Sequence, residues 1–181
     1  LNYLVDLAQR HELENRVYAV YSSPLKSLNN DIYVNLVKPL EEITELAEKK
    51  GIKLDKIRVG IRTGDTSASE KQKMARTSPH ILVTTPETLA ITLTTKKLIE
   101  KFTRVEFVII DEIHAMANKR GVHLSLTIER LQELSAITPV RIGLSATISP
   151  LEEVARFLVG SEEECIIADV QFLKKLDIEI I

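Results

Sequence analysis

The segment from Val105 to His114 constrains the fold of this chain more than any other. Its first part is apolar, and two adjacent carboxylates, Asp111 and Glu112, follow directly. Such an apolar run is typical of a parallel strand covered on both faces, and its end would lie at the carboxyl edge of the sheet, where α/β proteins bind ligands. The segment therefore predicts an acidic pair at a ligand-binding edge, although a strand ending in solvated acidic residues gives the same local pattern.

Two carboxylates at such an edge suit the chemistry of a metal-bound phosphate. An Asp can hold Mg²⁺ through the water shell of the ion, and a neighbouring Glu can deprotonate the water that attacks a γ-phosphate. The sequence Asp-Glu-Ile-His at 111–114 is therefore a candidate Walker B motif.

Strand-like and helix-like segments alternate along the whole chain. The predicted strands are 17–21, 56–61, 81–84, 105–110, the segment from 140, and 165–170. The predicted helices are 1–9, 25–50 with a break at Pro39, 67–76, 87–101, 124–136 and 151–158. This alternation predicts an α/β fold with a mostly parallel sheet flanked by helices.

The composition is compatible with one domain, and the net charge gives no overall attraction for nucleic acid. The chain has 181 residues, of which 44% are hydrophobic, and a net charge of -2, so binding of nucleic acid would depend on local contacts. A single cysteine, Cys165, excludes an intrachain disulfide and indicates a cytoplasmic protein, and its apolar neighbours predict a buried thiol. No apolar run approaches the ~20 residues of a membrane helix, so we expect no membrane partner.

Five short motifs occur in a fixed order along the chain. They are Ser-Ser-Pro-Leu-Lys-Ser-Leu at 22–28, Arg-Thr-Gly-Asp-Thr at 62–66, Thr-Thr-Pro-Glu at 84–87, Asp-Glu-Ile-His at 111–114 and Ser-Ala-Thr at 145–147. In this order they resemble motifs Ia and Ib, the third DNA-contacting motif, and motifs II and III of the superfamily 2 DExH helicases. The residues Asn-Asn-Asp at 29–31 and the run 118–124 look like the large helicase-related (Lhr) branch. The resemblance implies a RecA-like fold of the P-loop NTPase type in a prokaryotic protein.

The resemblance also implies the roles of the catalytic residues. Asp111 would contact Mg²⁺ through water, and Glu112 would be the catalytic base. His114 would couple hydrolysis to nucleic acid across an interdomain cleft, although a lone histidine is usually a surface or packing residue. Ser145 and Thr147 would transmit the nucleotide state, or cap the helix that starts near Leu151, and both roles are compatible.

Three turns are candidates for contact with nucleic acid. The residues are Ser23, Pro24 and Lys26 at a helix start, Thr63, Gly64 and Asp65 in a turn, and Thr84, Thr85, Pro86 and Glu87 in a second turn. At one sheet edge they would form a track along the phosphates of a single strand, which predicts binding without base readout. Ordinary helix caps and βα turns explain the same residues.

The chain contains no Gly-Lys pair and hence no P-loop, the segment that binds the β- and γ-phosphates. In the family this loop precedes motif Ia, so we expect residues 1–170 to be a RecA-like domain 1 that is incomplete at its N-terminus. Residues 171–181 would lead to a second RecA-like domain. We expect the isolated chain to lack ATP hydrolysis, and the missing central strand to leave a gap in the sheet with exposed apolar surface.

The function implied by the resemblance is ATP-driven movement from 3′ to 5′ on single-stranded DNA, with unwinding of DNA or DNA–RNA duplexes. The cofactors would be ATP and Mg²⁺. An RNA helicase and a non-catalytic, nucleic-acid-binding or regulatory RecA-like module are alternatives. An unrelated phosphoacceptor receiver would need a clustered acidic set and a lysine at other strand ends.

Overall fold

Five parallel strands form one sheet in the computed structural model, which describes residues 1–24, 32–113, 119–145, 151–160 and 164–168. The strands are β1 (Ala19–Ser22), β2 (Val59–Arg62), β3 (Ile81–Thr84), β4 (Phe107–Ile110) and β5 (Val140–Gly143). Their order across the sheet is β2-β3-β1-β4-β5, and each neighbouring pair is parallel. The parallel α/β fold predicted from the alternation of segments is therefore confirmed.

Seven α-helices in the described residues connect and flank the strands. They are α1 (Asn2–Gln9), α2 (Lys38–Lys49), α3 (Ala68–Arg76), α4 (Pro86–Thr92), α5 (Lys96–Ile99), α6 (Lys119–Leu134) and α7 (Leu151–Val159). Local signals set several of their ends. Ser67 and Glu70 form a capping box at the start of α3, since each side chain bonds to the backbone N–H of the other residue. Pro39 lies in the first turn of α2, directly after a π-helical turn at Tyr33–Val37, so the predicted break at this residue is a change of helix type without an interruption.

Each face of the sheet is covered by its own apolar cluster. One cluster joins Val20 and Val108 of the sheet to α4, α6 and α7, and the other joins Ala19 and Val83 to α1 and α2. Successive strand residues point to opposite faces, so this division gives three layers with the sheet in the middle. In the apolar stripe predicted for α6, Leu124, Ile128 and Leu131 are buried and Leu134 is half-buried. Burial of one such side chain stabilises the fold by about 1.5–3 kcal/mol.

The prediction of one continuous helix at 87–101 is wrong. The segment forms α4, α5 and a short 3₁₀ turn at Glu100–Phe102. The hydroxyls of Thr94 and Thr95 donate to the carbonyl oxygen of Ile91, at 2.7 and 3.3 Å. Threonine side chains thus compete with backbone N–H groups for this carbonyl, and the helix stops.

The strand predicted at 165–170 is also wrong for its described part. Residues 164–168 have no regular secondary structure, Cys165 is only half-buried, and Ile166 is 96% exposed. An apolar run forms a strand only where a neighbouring edge accepts its backbone hydrogen bonds, and sequence alone does not show that edge. The predicted exit segment 171–181 lies outside the described residues.

The sheet has an exposed apolar edge and no internal gap. The predicted gap is wrong for the five strands, because they follow one another without interruption. β5 pairs with β4 on one side only, and Val140, Ile142 and Leu144 are 56%, 37% and 45% exposed. The expected apolar surface is therefore at the β5 edge. In the part of the chain that the structure describes, the helices are too short or too polar to cross a bilayer.

Candidate nucleotide and nucleic-acid site

The carboxyl ends of the five strands meet at one edge, because each neighbouring pair is parallel. The strand order β2-β3-β1-β4-β5 places the following segments in the order 63–65, 85–87, 23–24, 111–112 and 144–145. The three segments predicted to contact nucleic acid are therefore neighbours, and the acidic pair lies beside them. Lys26, His114 and Thr147 lie outside the described residues, so their predicted roles stay predictions.

Backbone hydrogen bonds continue past the strand ends and fix the middle of this edge. The N–H of Ser23 donates to the carbonyl oxygen of Thr84 at 3.1 Å, and the N–H of Asp111 donates to that of Ser22 at 2.8 Å. β1 is thus tied to β3 on one side and to β4 on the other. The chain leaves β1 for β2 and β3 on one side and reaches β4 on the other, which makes the β1–β4 junction the position where α/β sheets bind ligands.

The Asp111 carboxylate is held by three donors at this junction. The hydroxyl of Tyr21 donates to Oδ2 at 2.7 Å, and the hydroxyl of Ser23 donates to the same oxygen at 3.2 Å. The N–H of Glu112 donates to Oδ1 at 2.9 Å. Tyr21 was absent from the sequence predictions; the one sequence signal for it is its position two residues before Ser23, on the same strand face.

Glu112 has an unusual backbone. Its φ of 49° lies in the left-handed region, which a residue with a side chain adopts at a cost of about 1–3 kcal/mol. The next residue, Ile113, is buried, and its N–H donates to the carbonyl oxygen of Leu144 at 2.9 Å. The turn is therefore anchored between the core and β5, and the Glu112 side chain is left exposed beside the half-buried Asp111.

The donor set around Asp111 fits one way of binding magnesium. The described residues contain no cluster of three or more His, Cys, Asp or Glu side chains that could enclose an ion. Mg²⁺ usually keeps several waters and binds through one or two carboxylates together with substrate phosphates. Asp111 meets that requirement, because its carboxylate is oriented and half-buried at a ligand-binding edge.

The turn after β2 is open around its glycine. The N–H of Thr63 donates to the hydroxyl of Thr66 at 2.8 Å, which closes the turn. Gly64 is exposed, its φ lies outside the left-handed region, and an added Cβ would have no atom of the described residues within 4 Å. Neither the backbone conformation nor internal packing requires glycine here. Close approach of a ligand backbone is a remaining reason for it.

The hydroxyls after β3 face inwards. Thr84 and Thr85 are 0% and 3% exposed, and the Thr84 hydroxyl donates to the carbonyl oxygen of Arg62 at 2.8 Å. The Thr85 hydroxyl accepts from the N–H of Thr88 and so caps α4, as the ordinary alternative for this residue predicts.

Exposure divides the other predicted nucleic-acid residues. Gly64, Asp65 and Glu87 are exposed, Pro24, Thr63 and Pro86 are half-buried, and Ser23 is buried with its hydroxyl on Asp111. Ser145 is exposed at the end of β5. The side chains available to a ligand on this edge are therefore fewer than the motifs suggest, and more of the accessible surface is backbone.

Arg62 lies below this edge at the end of β2. It is 8% exposed, and its Nε and Nη1 have no hydrogen-bond partner among the described residues. Arg62 borders a small, mainly apolar cavity together with Met74 and Phe102, and burial lowers the pKa of Arg62. The side chain thus points into the scaffold.

Comparison with known proteins identifies the family. The model of the DEAD/DEAH box helicase family matches residues 1–156. This chain belongs to the DEAD/DEAH box helicase family. The ATP-dependent helicase Lhr-Core of Methanocaldococcus jannaschii is 52% identical over 181 residues, which are 100% of this chain and 21% of the relative. The protein of the same name from Methanothermobacter thermautotrophicus is 55% identical over 98% of this chain and 21% of its own length.

A solved structure agrees with these relatives. The Mycobacterium smegmatis helicase Lhr bound to ssDNA and AMP-PNP superposes with a TM-score of 0.76 and 47% identity, over 81% of this chain and 19% of that chain. The resemblance to the Lhr branch and the RecA-like fold are thereby confirmed. The chain spans about a fifth of the length of the relatives it matches.

Proposed function

We propose that this chain is the larger part of the first RecA-like domain of an ATP-dependent helicase of the Lhr type. The observation that carries the proposal is the row of segments at the carboxyl edge, where the residues that follow β1, β2 and β3 adjoin Asp111 and the strained Glu112. Phosphates of a nucleic-acid strand would lie along the turns, and the triphosphate of ATP would lie beside Asp111 and Glu112. Residues before and after these 181 would supply the P-loop and the second RecA-like domain.

The acidic pair would divide the work of hydrolysis. Asp111 would hold Mg²⁺ through a water molecule, and Glu112 would orient and deprotonate the attacking water. The bound ion would supply charge stabilisation to the phosphates. The exposure of the Glu112 side chain supports this role, because a base must reach a water that arrives with the substrate. His114 would couple hydrolysis to nucleic acid, and Ser145 and Thr147 would transmit the nucleotide state.

The nucleic acid would be a single strand of DNA, bound through its backbone. The inward hydroxyls of Thr84 and Thr85 and the open Gly64 support recognition by backbone groups, which carries no sequence preference. The net charge of -2 supports local contacts over a basic field. Movement from 3′ to 5′ and unwinding of DNA or DNA–RNA duplexes in the cytoplasm complete the proposal.

The test is ATP hydrolysis with and without single-stranded DNA, by these 181 residues and by a protein extended beyond both ends. We expect DNA-stimulated turnover only in the extended protein, because the 181 residues contain no Gly-Lys pair to bind the β- and γ-phosphates. No hydrolysis in either protein would favour a non-catalytic binding module. Stimulation by single-stranded RNA but not by DNA would favour an RNA helicase.

A further inference from the structure

The hydrogen bond between Tyr21 and Asp111 involves a tyrosine that lies outside the five helicase motifs. We infer that Tyr21 is a positioning residue, which holds the Asp111 carboxylate in the orientation that receives the hydrated magnesium ion of a bound nucleotide. The inference rests on the function proposed for Asp111. It concerns how the carboxylate is oriented, and so it is tested by magnesium binding and not by ATP hydrolysis.

The sheet itself brings the two side chains together. Tyr21 on β1 is paired in register with Ile109 on β4, and Asp111 lies two residues after Ile109. Residues two apart along a strand share a face, so Tyr21 and Asp111 are diagonal neighbours on one side of the sheet. The 2.7 Å distance between the tyrosine oxygen and Oδ2 is that of a hydrogen bond to a charged acceptor.

The bond restricts the orientation of the carboxylate and leaves an acceptor position open. Three donors engage Asp111, namely the hydroxyls of Tyr21 and Ser23 on Oδ2 and the N–H of Glu112 on Oδ1. An ionised carboxylate has about four acceptor positions, so one remains for a water of the metal. Donors on both oxygens fix the rotation of the group, as the outer partners of metal ligands do.

Tyr21 is the stronger of the two side-chain donors. Without its hydroxyl, Oδ2 would keep only the longer bond from Ser23, at 3.2 Å. The carboxylate would then sample other rotations, and a free-energy cost of orienting it would appear when magnesium binds. This cost predicts a higher magnesium requirement with an otherwise intact nucleotide site.

The experiment is a magnesium titration of the binding of a fluorescent, non-hydrolysable ATP analogue to a full-length protein that carries this chain. We expect Tyr21→Phe to raise the magnesium concentration at half-saturation about threefold to tenfold, at or below the low end of the effects seen when outer partners of a metal ligand are removed. Tyr33→Phe is the matched control, because it removes the same hydroxyl from a side chain that is 51% exposed. The control should leave the midpoint unchanged.

Two further variants separate the possible failures. If Asp111→Asn raises the midpoint and Tyr21→Phe does not, the positioning role of Tyr21 is overturned and the proposed function survives. If neither variant changes it, the proposed role of Asp111 fails as well. Thermal unfolding checks that Tyr21→Phe is folded. Should it not fold, Tyr21→Leu removes the same hydroxyl, and an unchanged midpoint in that variant would overturn the inference.

Discussion

The turns after β2 and β3 and the junction of β1 with β4 lie on the same edge of one sheet and use their side chains in opposite ways. After β3 the hydroxyls of Thr84 and Thr85 are buried, and after β2 an open glycine is exposed. At the junction, polar side chains converge on Asp111, and Glu112 is held in a strained, exposed conformation. One region offers backbone, and the other offers oriented side chains.

This difference corresponds to two kinds of ligand. Backbone groups suit a repeating sugar-phosphate chain, because every nucleotide presents the same atoms to them. Chemistry on one phosphate needs side chains held in fixed positions, and strain of the kind seen at Glu112 is typical of such sites. Substitutions in the two regions should therefore have separable effects.

The largest expected effect is at Glu112. Glu112→Gln in a full-length protein should lower ATP turnover about 10²–10⁴-fold, the usual contribution of a general base, with nucleotide binding retained. Steady-state hydrolysis and binding of a non-hydrolysable analogue measure the two quantities. Glu133→Gln, at an exposed position on α6, is the control and should be silent. Turnover close to that of the unaltered protein would remove Glu112 from the role of base.

Acid should weaken the scaffold that both regions share. His80 is fully buried at the opposite end of the sheet, and burial, followed by the charge of Arg58, lowers its pKa from 6.5 to about 4. Between these values the unfolded chain binds more protons, so the free energy of unfolding should fall as the pH drops from 6.5 to 4. The loss should be on the order of 3 kcal/mol.

Urea unfolding of this chain at several pH values measures that loss. His80→Gln is the matched variant, since it removes the titrating ring and should flatten the slope between pH 4 and 6.5. An equal slope in the variant would assign the acid sensitivity to other groups. Loss of DNA binding over the same pH range should follow unfolding, and it would then say nothing about the turns themselves.

Substitutions of two glycines, Gly60 and Gly64, distinguish an effect on internal packing from an effect on the approach of a ligand. A Cβ at Gly60 would lie 2.8 Å from Cβ of Pro79, so Gly60→Ala should lower the free energy of unfolding by about 1–3 kcal/mol. Gly64→Ala should change stability by less than about 0.5 kcal/mol, because nothing in the described residues crowds that position. It should weaken binding of single-stranded DNA about fivefold, because a Cβ that keeps the strand away from this backbone would cost about the free energy of one hydrogen bond.

Fluorescence anisotropy with a labelled oligonucleotide measures the binding of both variants, and urea unfolding measures their stability. Unchanged DNA affinity in Gly64→Ala would exclude close approach of a strand at this turn. It would also remove the contrast between a backbone region and a side-chain region.

The smallest effect is expected at Arg62, below the β2 turn. Arg62→Met should leave the free energy of unfolding unchanged or raise it by up to about 1 kcal/mol, because an apolar side chain replaces a buried guanidinium whose Nε and Nη1 have no partner in the described part of the chain. Arg58→Met is the contrasting variant and should destabilise, since Nε of Arg58 donates to the carbonyl oxygen of Ser78 at 2.8 Å. Denaturant unfolding compares the two. A marked loss of stability in Arg62→Met would reveal a partner for its charge.

Much of the local structure could be predicted from short patterns. The strand at Ile81–Thr84 and the buried stripe of α6 have the predicted limits or spacing, and the acidic pair directly follows β4. The sequence failed where a side chain or a missing neighbour overrode the pattern. Thr94 and Thr95 interrupted a helix, and residues 164–168 pair with none of the five strands.

The sequence by itself determined the alternation of strands and helices, the family motifs and the placement of Asp111 and Glu112 at a strand end. Only the tertiary structure decided which strand ends are neighbours, that Thr84 and Thr85 turn inwards, and that Tyr21 contacts Asp111 across 90 residues of chain. The physical reason is the distance along the sequence over which the interactions act. Periodicity and capping depend on residues a few positions apart, whereas strand order and register depend on the packing of the whole sheet.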